Sequence, residues 1–313
     1  MDRQPARDQS VASRTWRFVG AGLLFIGVVA WAYSSWEGGV DDVRLAPTIV
    51  LLSVGIPAGI GLVGWEQKLA FDLAGQRQGW LRSVKVGLAA SAANLLPLPG
   101  SLIVRTAALK QSGATLKRSL GVTTLLGILW IGATMALVGI AAMFTSLFVG
   151  GALCVVGVLI SMAVLGVLNR RLQPSFLLLV GSVLVAVAKV LISALNVWLA
   201  YRALGGEIDL VGATIISSSA VLATAAGFFP GGLGLRELLS SLLADAAGYD
   251  SAIAVLATAL ERLAWIVGLA AAWLVLNVIS ARLAIRGAGP ESGQGPQLPA
   301  IDSRSPDATR QDD

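Results

Sequence analysis

The sequence has no histidine. This removes imidazole acid–base chemistry, His-based triads and His-containing metal sites from consideration. It has one cysteine, Cys154, inside an apolar run, which allows neither an intramolecular disulfide nor a CxxC redox pair. Cys154 reads as a small packing residue. Charge is scarce at 13%, about half of the roughly 25% usual in soluble domains. No GxxxxGK[ST] nucleotide loop occurs. These absences leave no expected cofactor, metal or catalytic residue, and the chain is not expected to be an enzyme. The net charge of +5 does not imply nucleic acid as a partner, because the basic residues lie in short loops beside apolar runs, where they orient membrane segments.

Apolar residues make up 56% of the chain, and 36 glycines are spread through it. Several windows exceed the roughly 18 apolar residues that mark a spanning helix. The expected fold is all-α, a polytopic membrane helix bundle of about six spans. They fall near Phe18–Trp36, Leu45–Trp65, Ser119–Met143, Leu147–Leu168, Ser175–Tyr201 and Ser251–Ala281. Trp16, Trp36 and Trp65 sit at span ends, as interfacial anchors do. Phe18–Trp36 is longer than a usual signal core, so a retained first helix is expected. Residues 1–14 and 286–313 read as disordered cytoplasmic ends around a membrane domain, 15–285. Glu66–Lys85, with Trp80 among basic residues, reads as an interfacial amphipathic helix or a plain loop.

Two apolar segments are broken by proline and glycine. The first, near Val84–Leu109, contains Pro97, Pro99 and Gly100, then Arg105. The second, near Ile208–Ala247, contains Pro230, Gly231, Gly232 and Gly234, then Arg236 and Glu237. Such breaks free backbone groups that lipid cannot satisfy, so they belong where protein or a cavity lines them. The first is flanked by Arg82, Lys85, Lys110, Lys117 and Arg118, the second by Glu207, Asp209, Asp245 and Asp250. The positive-inside bias puts both termini in the cytoplasm of an inner-membrane protein. The two segments then become re-entrant hairpins dipping from opposite faces, an inverted-repeat arrangement. Gly113 and Trp130 after the first, and Gly248 and Trp265 after the second, share a spacing of seventeen residues.

Charged residues inside apolar runs are the candidate site. Arg236 and the amides opening its half-helix suit a phosphate or carboxylate; a packing kink closed by Arg236 and Glu237 is the alternative. Arg105 repeats the plan nearer the flank, where snorkelling to headgroups competes. Lys189 lies mid-span, where insertion costs about 2.5–3.5 kcal/mol. It either contacts substrate or pairs with Glu237 or Glu261. Glu261 and Arg262 are neighbours about 100° apart on a helix and cannot pair with each other. Cross-pairing of Arg236 with Glu261 and of Glu237 with Arg262 is expected, as a clamp or a gate. Leu126 and Gly127 stand at the matching first-half positions.

The stretch Phe229-Pro230-Gly231-Gly232-Leu233-Gly234-Leu235-Arg236-Glu237, with Glu261-Arg262 downstream and Asn94 through Arg105 upstream, resembles the flippase-like membrane region of the lysylphosphatidylglycerol synthase family, over roughly residues 15–285. The family often has an acidic residue after the first-motif glycine, where this chain has Ser101. The resemblance implies a stand-alone member without the soluble aminoacyl-transferring domain, moving an anionic or modified lipid between leaflets. Its headgroup would be held by Arg236, Lys189 and Arg105 with the Pro/Gly breaks, and gated by Glu237, Glu261 and Arg262. Partners would be membrane lipids, and an oligomer is compatible with this reading. The alternatives are a non-catalytic accessory subunit of a separately encoded lipid- or glycan-modifying enzyme, or a membrane enzyme acting on headgroups through Glu237 and Glu261.

Overall fold

A computed structural model of the chain describes residues 20, 22–36, 38, 43–94, 100–226 and 232–287, with side chains described as far as Arg282. Among these residues every regular element is helical: α1 (Gly22–Ser35), α2 (Leu45–Val50), a π-turn (Leu51–Gly55), α3 (Ile56–Leu73), α4 (Trp80–Ala93), α5 (Gly100–Gln111), α6 (Leu116–Ala142), α7 (Leu147–Leu172), α8 (Phe176–Ala203), α9 (Leu210–Ser217), α10 (Ser219–Ala226), α11 (Leu235–Ala246) and α12 (Ser251–Gly287). Five helices are long and apolar enough to cross a membrane: Leu45–Leu73, Leu116–Ala142, Leu147–Leu172, Phe176–Ala203 and Ser251–Arg282. Their outer faces carry exposed Phe148, Leu159, Met162, Leu177, Leu184 and Val267. An apolar belt of this kind suits lipid rather than water.

Local chemistry sets the ends. Thr115 caps α6 by accepting from Arg118 N, and Asp209 caps α9 by accepting from Gly212 N at 2.7 Å. α7 stops at Gln173, in the left-handed region at φ 46°, just before Pro174. α6 and α7 pack backbone to backbone: a methyl group on Gly157 would strike Ala136 N, and one on Gly139 would strike Cys154 N. Close approach through small residues is how membrane helices associate without a hydrophobic drive between them.

The buried apolar residues form two main groups. Phe71, Leu109, Leu129 and Leu168 join α3, α5, α6 and α7. Val197, Tyr201, Ile216, Ala244 and Ala257 join α8, α9, α11 and α12. The chain divides into two compact units, Met1–Trp273 and Leu274–Asp313. The bundle belongs to the first. In the second, Ser280 Oγ donates to Leu276 O at 2.6 Å, within the end of α12.

Several expectations change. The second span does not stop at Trp65 but continues to Leu73. Glu66–Lys85 is therefore neither one interfacial helix nor a loop: its first part is α3, with Glu66 and Gln67 buried, and a new helix starts at Trp80. The helix tolerates these charges because Lys68 pairs with Asp72 one turn on, at 2.6 Å, while Glu66 has partners inside the bundle. The described part of the first expected span is the shorter helix Gly22–Ser35; Phe18 lies outside the described residues. The first broken segment is a packed helix pair, α4 and α5, with Gly100 so close to Ala93 O that a methyl group would collide with it. The second has an extra interruption at Ser218, between α9 and α10, before α11. Pro97, Pro99, Pro230 and Gly231 lie outside the described residues, as do 1–14 and, of the tail expected to be disordered over 286–313, the residues from 288; Arg286 and Gly287 instead end α12.

Candidate functional site

Two groups of buried charges lie within the bundle. The first joins three helices distant in sequence. Glu66, from the last third of the Leu45–Leu73 span, receives Arg105 Nη1 of α5 at 2.7 Å on one carboxylate oxygen and Lys189 Nζ of α8 at 2.9 Å on the other. Lys189 Nζ also lies 4.4 Å from the ring centroid of Trp130 on α6, a cation–π contact. Of the three side chains the cations keep more open surface, 16% for Lys189 and 13% for Arg105 against 8% for Glu66. Arg105 Nε is buried without a hydrogen-bond partner among the described residues, as are Gln67 Oε1 and Nε2 and Thr106 Oγ1 beside the ion-paired residues in sequence. Two cations share one carboxylate, so the group carries a formal net charge of +1.

The second group is built on the α11 N-terminus. Gly232 and Gly234 have φ of +66° and +75°, and a Cβ on Gly234 would stand 2.7 Å from Leu24 Cγ. Positive φ and lack of room both demand glycine there. The turn aims Glu237 back over the helix start, where its Oε2 accepts from Gly234 N at 2.9 Å. Glu237 is fully buried and lies 3.3 Å from Arg262 Nε of α12. Arg262 Nη2 also donates to Gly232 O at 3.4 Å. Arg236 Nη2 pairs with Glu261. Ser240 Oγ donates to Glu237 O at 2.7 Å and meets Thr258 Oγ1 at 3.0 Å, tying α11 to α12. Two arginines face two carboxylates, and the group is neutral.

Both expected cross-pairs of this second group are therefore made. The expected partner of Lys189 is not: it meets Glu66 rather than Glu237 or Glu261. Arg105 does not snorkel away but turns inward to the same carboxylate. Of the amides expected to await a substrate anion at the start of α11, one, Gly234 N, donates to Glu237. The matching start of α5 has a neutral partner, Asn94 Oδ1, which accepts from Ser101 N at 3.1 Å. Glu66 was the residue missed. The i, i+4 pair Lys68–Asp72 was the available signal that the helix continued through it.

Two hollows lie elsewhere. A pocket of about 670 Å³ is lined by Trp198, Arg202, Glu207, Asp209 and Tyr249 among others. At its rim Tyr249 OH donates to Asp209 Oδ1 at 2.7 Å. The Gly212 amide and this phenol hold the Asp209 carboxyl below its usual range, while burial and Asp209 push Tyr249 up to about 12. An apolar groove of about 470 Å³ lies between α1 and α11, lined by Leu23, Leu24, Gly27, Val28, Trp31, Leu238 and Ser241.

No protein-family model matches this chain, and no curated protein matches it.

Proposed function

We propose that this chain is a lipid flippase or related transporter of an inner membrane, moving an anionic or modified lipid between leaflets. The observation that carries the reading is the placement of two charge groups, one joining α3, α5 and α8 and one joining α11 and α12, inside a bundle with an apolar outer belt. Ionisable side chains within spanning segments are costly and usually line the path of a polar substrate. A headgroup crossing the bundle needs a polar station of this kind, and acyl chains need apolar grooves like the one between α1 and α11.

The finer topology is part of the proposal. Both termini are cytoplasmic, the α4–α5 pair is re-entrant from the cytoplasmic side, and the α9–α11 segment enters from the opposite side. The charge bias of the flanking loops supports this. So does the resemblance of Phe229–Glu237 to the membrane region of the lysylphosphatidylglycerol synthase family, which rests on those residues and no family-wide match. The chain acts as a transporter rather than an enzyme, with lipids as its partners.

Reconstitution into liposomes carrying fluorescent anionic, zwitterionic or lysyl lipids, scored by headgroup quenching, tests the function. Transport above protein-free vesicles is expected, falling to background in Lys189→Met. Equal, slow movement of every lipid by wild type and protein-free vesicles sinks the reading. In a Cys154→Ser background, single cysteines at Ser112 and Gly248 are expected to label from opposite sides; labelling from one side rejects the topology.

A further inference from the structure

The two charge groups do different work, and their charge balance separates them. We infer that Arg105 and Lys189 form the seat for one monoanionic phosphodiester headgroup, while Arg236, Glu237, Glu261 and Arg262 form a closed latch that does not touch substrate. This assignment rests on the lipid-transport reading above.

Burying a net charge in low dielectric costs several kcal/mol unless a counter-charge accompanies it. The Glu66–Arg105–Lys189 group has one positive charge more than its carboxylate balances, and no other described residue forms an ion pair with it. One negative charge brings it to zero; a dianion takes it to −1. The ligand that fits is therefore a phosphodiester monoanion rather than a phosphomonoester dianion. A zwitterionic headgroup brings its own ammonium and so leaves the excess in place. Donors remain for such a ligand: Arg105 Nε is unpartnered among the described residues, and the two cations keep more exposed surface than Glu66 does. Trp130 under Lys189 stiffens the ammonium and shields one side of it.

The second group shares an Nε unpartnered among the described residues, that of Arg236, and arginines slightly more exposed than their carboxylates, but it lacks the excess charge. Its charges cancel, and Glu237 already accepts from Gly234 N at the start of its helix. A further anion there would break a balanced set. Its hydroxyl link between Ser240 and Thr258 belongs to a clasp holding α11 against α12.

The test uses the purified full-length protein in nonionic detergent at low salt. It is titrated with short-chain phosphatidylglycerol, short-chain phosphatidylcholine or inorganic phosphate. Binding is read as the shift in unfolding temperature and as the fluorescence change lost in Trp130→Phe. Phosphatidylglycerol is expected to bind at least about tenfold tighter than the other two, and Lys189→Met or Arg105→Gln to remove that preference. Lys189→Met leaves a neutral Glu66–Arg105 pair, so it is expected to fold and to lose only the ligand-induced shift. The paired variant Arg236→Gln/Glu261→Gln keeps the second group neutral and is expected to bind within about twofold of wild type. Equal affinity for the two lipids overturns the proposal. So does inorganic phosphate binding as well as phosphatidylglycerol, which makes the site one for free anion, or loss of binding in the paired variant alone. Binding as expected without transport in liposomes rejects the transport reading and leaves the seat standing.

Discussion

The two helix pairs begin from the same plan, a break containing proline and glycine and then an arginine, and end in opposite electrostatic states. In the second, the arginine arrives with its own carboxylate: Arg236 is followed by Glu237, which caps the helix, and Glu261 and Arg262 complete a neutral set. In the first, the position after the glycine is Ser101, the helix start takes a neutral Asn94, and Arg105 must find a carboxylate on another helix. Glu66 supplies it but is shared with Lys189, so one positive charge is left over. Equal numbers of each sign close the second group on itself, whereas the first keeps one cation unbalanced. Counting charges around each group, rather than noting that each ion has a partner, is what brings out this difference.

The largest effects should come from removing carboxylates. Glu66→Gln takes the first group from +1 to +2 and strands two largely enclosed cations, an expected loss of about 3–5 kcal/mol in thermal unfolding in detergent. Glu261→Gln takes the second group only from 0 to +1, and is expected to cost about 1.5–3 kcal/mol, as for one hydrogen bond to a charged group. If Glu261→Gln proves the more damaging, the contrast between the groups is lost. Removing cations sharpens it through sign: Lys189→Met neutralises the first group and is expected to raise the unfolding temperature without ligand, whereas Arg236→Gln leaves the second at −1 and is expected to lower it.

Gly234→Ala places a side chain at φ +75° against Leu24, with an expected cost of about 1–2 kcal/mol from the left-handed backbone alone. Gly100→Ala, in the first pair, meets backbone at Ala93 instead and tests whether that turn is equally tight. The smallest effect belongs to the clasp between Asp209 and Tyr249. Asp209 titrates low when folded, so its contribution is present above its unfolded value and lost as pH falls through the depressed one. Tyr249, raised to about 12, contributes below its unfolded value of about 10 and loses that contribution as pH climbs from there toward its folded value. Tyr249→Phe should remove the alkaline part of this dependence, and an unchanged alkaline midpoint counts against the clasp.

Much of the architecture was legible because the forces that set it are local. The apolar runs place the five spans within a few residues at most ends, since any such run forms a helix in lipid whatever its neighbours are. Gly232 and Gly234 were readable as a turn, because a missing Cβ is a property of the residue itself. The cross-pairing of Arg236 and Glu237 with Glu261 and Arg262 was also readable, because adjacent ions on one helix must look elsewhere. Glu66 was not. Beside Trp65 and among further charges it resembled the end of a span, and its partner Lys189 lies 123 positions away.

The sequence by itself determined a helical chain with apolar spans, two glycine-bearing breaks and a small set of charges that lipid would not tolerate alone. Only the tertiary structure decided which charge meets which. Hydrophobicity and backbone freedom belong to single residues and short windows, whereas the cost of a buried ion depends on every charge the fold brings within a few ångströms of it.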